Sequence, residues 1–140
     1  MTKLPEKIAL TILLIAFCDA SALGQEMTIP EKCKSASSNM AASKDQATNM
    51  PGMATTDFQK DFMAGMQKMD PAMMQGMMQD DADTAFVCGM IAHHWGAIAM
   101  SETELKYGDD KAAKRMARKI IDAQAKEIKK MEKWLDANGK

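Results

Sequence analysis

Two stretches decide the fold: DDADTAFVCGMIAHHWGAIAMSETELKY, residues 80–107, and KAAKRMARKIIDAQAKEIKKMEKWLDA, residues 111–137. A connection of three residues joins them. Both runs repeat apolar residues at spacings of three and four, as one face of a helix does. Aspartates precede both runs and can cap them, and Gly108 is predicted as a left-handed stop between them. Two helices of about 27 residues, each about 40 Å long, must run antiparallel across so short a connection.

Two shorter helices are predicted before this helical hairpin. Asp57 can cap a helix that ends near Met69, and Asp70-Pro71 supplies a cap and a first-turn proline for a second helix that ends near Gln79. Nothing in the chain resembles a β-strand. The predicted fold class is therefore all-α, with a four-helix bundle domain over residues 57–138.

The first 56 residues are predicted to lie outside this domain. A basic start, an apolar run over residues 8–17 and small residues at 20–22 are typical of a signal peptide, here residues 1–22. Such an apolar run is too short to span a bilayer. Residues 23–56 hold almost no branched aliphatic or aromatic side chains and are predicted to form a flexible polar arm. We therefore expect a periplasmic or secreted protein with no stable membrane insertion.

Export would place Cys33 and Cys88 in a compartment where disulfides persist. The chain has no CxxC or CxxxC spacing, so the two cysteines either pair with each other or bind a ligand. We favour a disulfide that tethers the N-terminal arm.

Charge gives no reason to expect nucleic acid as a partner. The chain has 18 Lys and Arg residues against 19 Asp and Glu residues. Ten basic and four acidic residues fall within 111–140, without interleaved aromatic residues that would favour nucleic-acid binding. This local excess is interpreted as a solvated helix face.

Methionine is unusually frequent, with 16 residues in the chain. Seven of them fill a broad helical face in a segment without Leu, Ile or Val: Met63, Met66, Met69, Met73, Met74, Met77 and Met78. Methionine at helical spacing usually packs a core. The predicted arm, however, adds Met40, Met50 and Met53, where no core exists to fill. Thioether sulfur is a soft donor suited to Cu(I), so these methionines are predicted to offer secondary copper sites.

Both histidines of the chain lie in the run MIAHHWGAIAM, residues 90–100. At 100° per residue Met90, His93 and Met100 share one face, and Met90 is also the i,i+4 neighbour of His94. A single helical histidine is usually a satisfied core or surface residue. Two adjacent imidazoles beside thioethers instead indicate a metal site.

The last helix brings polar groups to the same level. If the hairpin turns near Asp109, His94 lies opposite Gln124, and Glu127 lies one turn further along, opposite Ile91. Gln124 and Glu127 interrupt an otherwise apolar stripe that also contains Met116, Ile120, Met131 and Trp134. A carboxylate there can fix the tautomer of an imidazole, bind the metal itself or belong to an ordinary interhelical hydrogen-bond network.

Residues 86–135 resemble a known family. The run Met-Ile-x-His-His-x-x-Ala-Ile-x-Met and the later run Ile-Ile-x-x-Gln-x-x-Glu-Ile-x-x-Met-x-x-Trp-Leu look like the secreted bacterial family catalogued as domain of unknown function 305. The resemblance implies a ferritin-like four-helix bundle and an association with copper binding and tolerance. Ala92 departs from the family pattern, in which proline is frequent at this position. The positions to which the metal-site role carries over are Met90, His93, His94, Met100, Gln124, Glu127 and Met131.

We therefore predict an exported protein without enzymatic activity that binds copper, as Cu(I) or Cu(II), and sequesters it or delivers it to a copper efflux or chaperone protein. A first alternative is a helical module whose methionine face binds an apolar partner without metal. A second, weaker alternative is a ferritin-like di-iron oxidoreductase. That site needs Glu-x-x-His motifs, whereas this chain has Met90-x-x-His93. The sequence leaves the oligomeric state open.

Overall fold

A computed structural model of the chain describes residues 26–34 and 56–139. The described residues form a short 3₁₀-helix, Glu31–Cys33, and three α-helices: α1 (Asp57–Met77), α2 (Ala82–Tyr107) and α3 (Lys111–Asn138). The all-α prediction is confirmed over these residues, which contain no strand. The predicted signal peptide, together with Met40, Met50 and Met53, lies outside them.

The N-termini of the helices are fixed by the caps that the sequence supplies. Thr56 accepts from the backbone N–H of Gln59, whose side chain accepts from Thr56 in return, so α1 begins with a capping box. Asp81 and Asp110 cap α2 and α3 in the same way, each with its carboxylate. The bounds of the two long helices therefore agree with the sequence prediction to within two residues.

The predicted helix break at Asp70 is wrong, because α1 continues through Pro71 to Met77. An interior proline costs a helix about 3 kcal/mol. Packing on both sides of it offsets this cost. Before the proline, Gly65 lies against Ala99, and after it Gly76 lies against the backbone at Cys88. The described domain accordingly has three helices where the sequence predicted four.

Helix α2 is the centre of the arrangement. Both α1 and α3 pack along it, and they make little contact with each other within the described residues. The core combines residues of α2 and α3 with one cysteine from the N-terminal segment: Cys33, Val87, Cys88, Ile91, Ile98, Ile128 and Leu135. No α-helix in the described ranges is both long enough and apolar enough to cross a bilayer.

Residues 26–34, which the sequence assigns to the flexible arm, lie against the helices as a strap. The predicted disulfide is confirmed: Cys33 is bonded to Cys88, with 5.3 Å between the two Cα atoms. Lys32 Nζ donates to the carbonyl of Leu135 at 2.8 Å, so a cation stabilises the C-terminal end of α3. Trp95 donates from its indole nitrogen to the carbonyl of Thr28 at 3.1 Å. These three attachments join the strap to α2 and α3.

The connection between α2 and α3 differs from the sequence prediction in one respect. Gly108 has φ −67°, so it is not a left-handed residue. Glycine is favoured there for space, because a Cβ would lie 2.7 Å from the backbone oxygen of Glu104. The chain leaves α2 in an extended conformation and reaches Asp110 directly.

Gly76 should be the least replaceable small residue of the α1–α2 interface. A Cβ at this position would lie 2.7 Å from the Cys88 carbonyl carbon and 2.8 Å from the Gly89 nitrogen, and the backbone cannot move aside. We expect Gly76→Ala to lower the free energy of unfolding by about 1–3 kcal/mol, although alanine favours helix formation. Thermal unfolding measures the effect. Gly65→Ala, facing only the Ala99 Cβ at 3.2 Å, should change the melting temperature less; equal or reversed changes would contradict this packing.

Loss of the disulfide should destabilise the domain through the unfolded chain. Cys33 and Cys88 are 55 residues apart, and closing a loop of that length stabilises by up to about 4 kcal/mol in the chain-entropy account. We expect the Cys33→Ala, Cys88→Ala double variant to unfold at lower urea concentration and to lose hydrogen-exchange protection in the strap before α2. A midpoint that is the same with and without the disulfide would contradict this role.

Candidate metal centre

His94 and Glu127 form the polar contact between α2 and α3. His94 Nε2 lies 2.6 Å from Glu127 Oε2. The imidazole is 6% exposed, whereas about half of the Glu127 side chain faces solvent. A buried ring is thus hydrogen-bonded to a carboxylate at the edge of the helix pair.

The carboxylate determines where the proton of a neutral His94 ring sits. A carboxylate can only accept, so Nε2–H donates to Glu127 and the lone pair is left on Nδ1. His94 Nδ1 is buried and has no hydrogen-bond partner among the described residues. The structure therefore presents a buried nitrogen lone pair held in place by Glu127.

The observed pair differs by one helical turn from the sequence register, in which Gln124 faced His94 and Glu127 faced Ile91. Helical side chains lean toward the N-terminus of their own helix. In an antiparallel pair the side chains of His94 and Glu127 consequently lean toward each other, and a long glutamate covers the remaining distance. Gln124 is half-buried on α3.

The other predicted metal ligands of α2 lie around His94 in different environments. Met90, one turn before His94, is half-buried. His93 is exposed, with its ring centroid 6.0 Å from that of His94. Met100 is 49% exposed and lies nearly two turns further along the helix. The geometry groups His94, Glu127 and, by helical spacing, Met90 and His93.

Met131, the remaining predicted metal ligand on α3, packs against the apolar core. It is half-buried and packs against the apolar cluster, together with Trp134 and Ile121. Its position agrees with the usual role of methionine as packing material. The structure therefore groups Met131 with the core residues of α3.

The methionines of α1 divide between packing and exposure. Met69 approaches Gly96 and Met77 approaches Gly89, so both lie along α2. Met73 is also half-buried. Five of the seven are classed as exposed: Met63, Met66, Met74, Met77 and Met78. Some methionines of α1 therefore pack against α2, and the others expose their thioethers to solvent.

A groove of about 320 Å³ opens between the three helices near the α2–α3 connection. Phe62 of α1, Met100 of α2 and Met116 of α3 line it, with Ala97 and Ile120. Neither Phe62 nor Met116 was singled out as a site residue from the sequence. The position of Met116 in the apolar stripe of α3 was the available signal, but only the packing of three helices shows that it meets Met100.

The described residues do not gather a metal site made of histidine, cysteine and carboxylate ligands alone. Within residues 26–34 and 56–139, no group of three or more His, Cys, Asp or Glu side chains is placed to hold a metal ion. In this part of the chain His94 has one carboxylate neighbour at bonding distance and thioethers on its own helix.

Comparison with known families identifies the chain. The model of a family described as "Domain of unknown function (DUF305)" matches residues 19–135. The match covers most of the chain, so the protein belongs to this family. No curated protein matches it.

The tautomer of His94 can be measured directly. We expect ¹⁵N spectra of the metal-free protein, recorded at a pH where the ring is neutral, to show hydrogen on Nε2 and a bare Nδ1, because Glu127 accepts from Nε2. In Glu127→Ala the Nε2 site loses its acceptor, and the population of the tautomer with hydrogen on Nδ1 should rise above its wild-type level. A wild-type spectrum with hydrogen on Nδ1 would contradict the assignment. Glu132→Ala, which removes a different carboxylate of α3 about one turn beyond Glu127, serves as the control.

Proposed function

We propose that this member of the domain of unknown function 305 family is an exported copper-binding protein that sequesters copper or delivers it, without catalysing a reaction. One observation carries the proposal: the buried Nδ1 of His94 lacks a hydrogen-bond partner among the described residues, while Nε2 is held by Glu127. A carboxylate on one ring nitrogen is the usual arrangement when the other nitrogen binds a metal.

The surroundings of His94 favour copper over harder metals. Met90 lies four residues before His94 and three before His93, so one thioether is shared by two imidazoles along the helix. Thioether and neutral imidazole together suit Cu(I), and neither needs to lose a proton at neutral pH in order to bind. In this proposal His94 and Met90 hold the ion, His93 adds a donor from the exposed side, and Glu127 orients the ring. Gln124 would complete the polar surroundings.

The exposed methionines give the proposal its second part. Met66, Met77, Met100 and Met116 are each at least 39% exposed. Exposed thioethers on several helices would bind Cu(I) weakly and exchange it, as a protein that passes copper to an efflux or chaperone protein requires. Export to the periplasm or beyond, which the signal-like N-terminus favours, belongs to the same proposal.

The ferritin-like bundle implied by the family resemblance is likewise a proposal. The described residues supply three of its four helices. A copper site on α2 and α3 does not require that fourth helix, because His94 and Glu127 already meet between those two helices.

Copper titration of the chain without its predicted signal peptide tests the function. Cu(I) and Cu(II) are titrated against a competing chelator, with Zn(II) and Fe(II) for comparison. We expect one copper site whose affinity falls by about 10–100-fold in Glu127→Gln, since the orienting carboxylate is lost. His94→Ala should remove the site. Met74→Leu, which alters an exposed methionine of α1 away from the site, should leave the tight site unchanged.

The outcomes separate the alternatives. Unchanged copper affinity in His94→Ala, with the helical content retained, would refute this centre. Because His94 is buried, Glu127→Gln keeps the test informative if His94→Ala fails to fold. Absence of specific binding to any of the four metals would favour the metal-independent interaction module.

A further inference from the structure

The side of α2 that neither α1 nor α3 covers carries a regular apolar stripe. Phe86, Met90, His93, Ala97 and Met100 follow one another at spacings of four, three, four and three. This is the heptad pattern of a helix that packs against a second helix. Phe86 is 65% exposed and Met100 is 49% exposed, so no other described helix covers this stripe.

The contacts of α2 show why this stripe remains open. Gly89 and Gly96 face α1, where Met77 and Met69 approach them. His94 faces α3 through Glu127. Cys88 faces the strap through the disulfide. At 100° per residue, Phe86, His93 and Met100 lie on the one remaining side of the helix.

Neighbouring side chains extend the stripe into a wider apolar face. Phe62 and Met116 flank Met100 across the groove, and Met116 is 61% exposed. We use the term open face for Phe62, Phe86, Met90, His93, Ala97, Met100 and Met116. Glu104, which also lines the groove, follows Met100 by four residues and places a carboxylate at the end of this face. Apolar surface shared by three helices in this way is typical of an interaction site.

We propose that the open face binds a second copy of this chain, with the two α2 helices side by side and parallel. A two-fold axis parallel to the helices relates the two copies. It stacks the three-helix layer of one copy on the three-helix layer of the other. The axis brings Phe86 opposite Phe86 of the second copy and Met100 opposite Met100. Under this rotation each copy places its α3 over α1 of the other.

The distribution of charge favours a second copy of the chain as the partner, and it favours the parallel orientation. Helix α3 carries nine Lys and Arg residues against four Asp and Glu residues, whereas residues 56–81, which α3 of the second copy would cover, carry five Asp residues against two Lys residues. The parallel axis sets the basic helix of each copy over the acidic side of the other. The perpendicular two-fold axis would set α3 on α3, which like charges disfavour.

The lysine-rich end of α3 also lies at a suitable level along the axis. Gly76 is level with Gly89 across the α1–α2 interface, and the His94–Glu127 pair places Gly89 level with about residues 129–132 of α3. Lys130 and Lys133 of one copy would therefore lie close to Asp80 and Asp81 of the other. Opposite charges at the rim of an apolar face specify register more than they add affinity.

The pairing also gives the exposed His93 a role, and this consequence rests on the proposed copper function. Two His93 side chains would meet across the axis, each three residues from a Met90. Two imidazoles and two thioethers make a donor set that one copy does not present alone. The pairing itself does not require metal, so it is measured in the presence of a chelator.

The test is the molar mass of the chain, without its predicted signal peptide, in EDTA. We expect sedimentation equilibrium at 1–100 μM, roughly the range for an interface of this kind, to show the mass of a dimer. Phe86→Glu and Met116→Glu should shift the chain to the mass of a monomer, because each places a charge in the open face. Both side chains are exposed, so the helical circular dichroism should stay unchanged.

Met74→Glu is the matched control. Met74 is 56% exposed, on the side of α1 turned about 160° from Gly76, and so outside the open face. It should leave the dimer intact. The orientation is tested with Phe86→Cys, which should cross-link to its own copy under mild oxidation, while Met74→Cys should not.

Each contrary result overturns the proposal. A monomer at the highest concentration shows that the open face does not bind a second copy. A dimer that survives Phe86→Glu uses another surface. A dimer without the Phe86→Cys cross-link is not parallel and in register. Copper binding by a monomer would leave the proposed function standing while this inference fails.

Discussion

The burial of α2 is the constraint on which the rest of the structure depends. A helix enclosed by α1, α3 and the strap must present small or apolar side chains in almost every direction. Glycines at 89 and 96 let α1 approach closely, Ile91 and Ile98 fill the core, and Cys88 anchors the strap. Once these needs are met, little of the helix surface remains free. The position of each of its few polar groups is therefore informative.

His94 is the polar group that this packing accommodates least easily. A buried imidazole needs partners for both nitrogens, and Glu127 supplies only one. A leucine or methionine would pack at this position without that cost. Retaining an unpaired nitrogen in the core is typical of functional sites, where local stability is exchanged for chemistry. The exposed half of Glu127 also leaves a polar route from solvent to the ring.

The open face and the His94 centre lie on the same helix, so the proposed dimer and the proposed metal chemistry would share residues. His93 points to the open side, His94 points to α3, and Met90 lies between them by helical spacing. Neighbouring residues on one rigid helix thus serve two surfaces. A rigid scaffold of this kind holds donor atoms more precisely than a loop does. Methionine suits both surfaces, because its flexible thioether packs against apolar groups and also binds soft metals.

The sequence by itself determined the helical fold, the bounds of α2 and α3, the candidate disulfide and the set of residues from which a metal site can be built. Capping and apolar periodicity depend on neighbours along the chain, and these can be read from sequence. Only the tertiary structure decided that α1 continues through Pro71, that residues 26–34 form a strap, and that His94 rather than His93 is buried beside Glu127. Those outcomes depend on contacts between segments that are far apart in the sequence. Packing of α1 against α2 outweighs the local cost of Pro71. A disulfide and a lysine hold the polar segment 26–34 against the helices. The direction in which the side chains of His94 and Glu127 lean decides that these two residues pair.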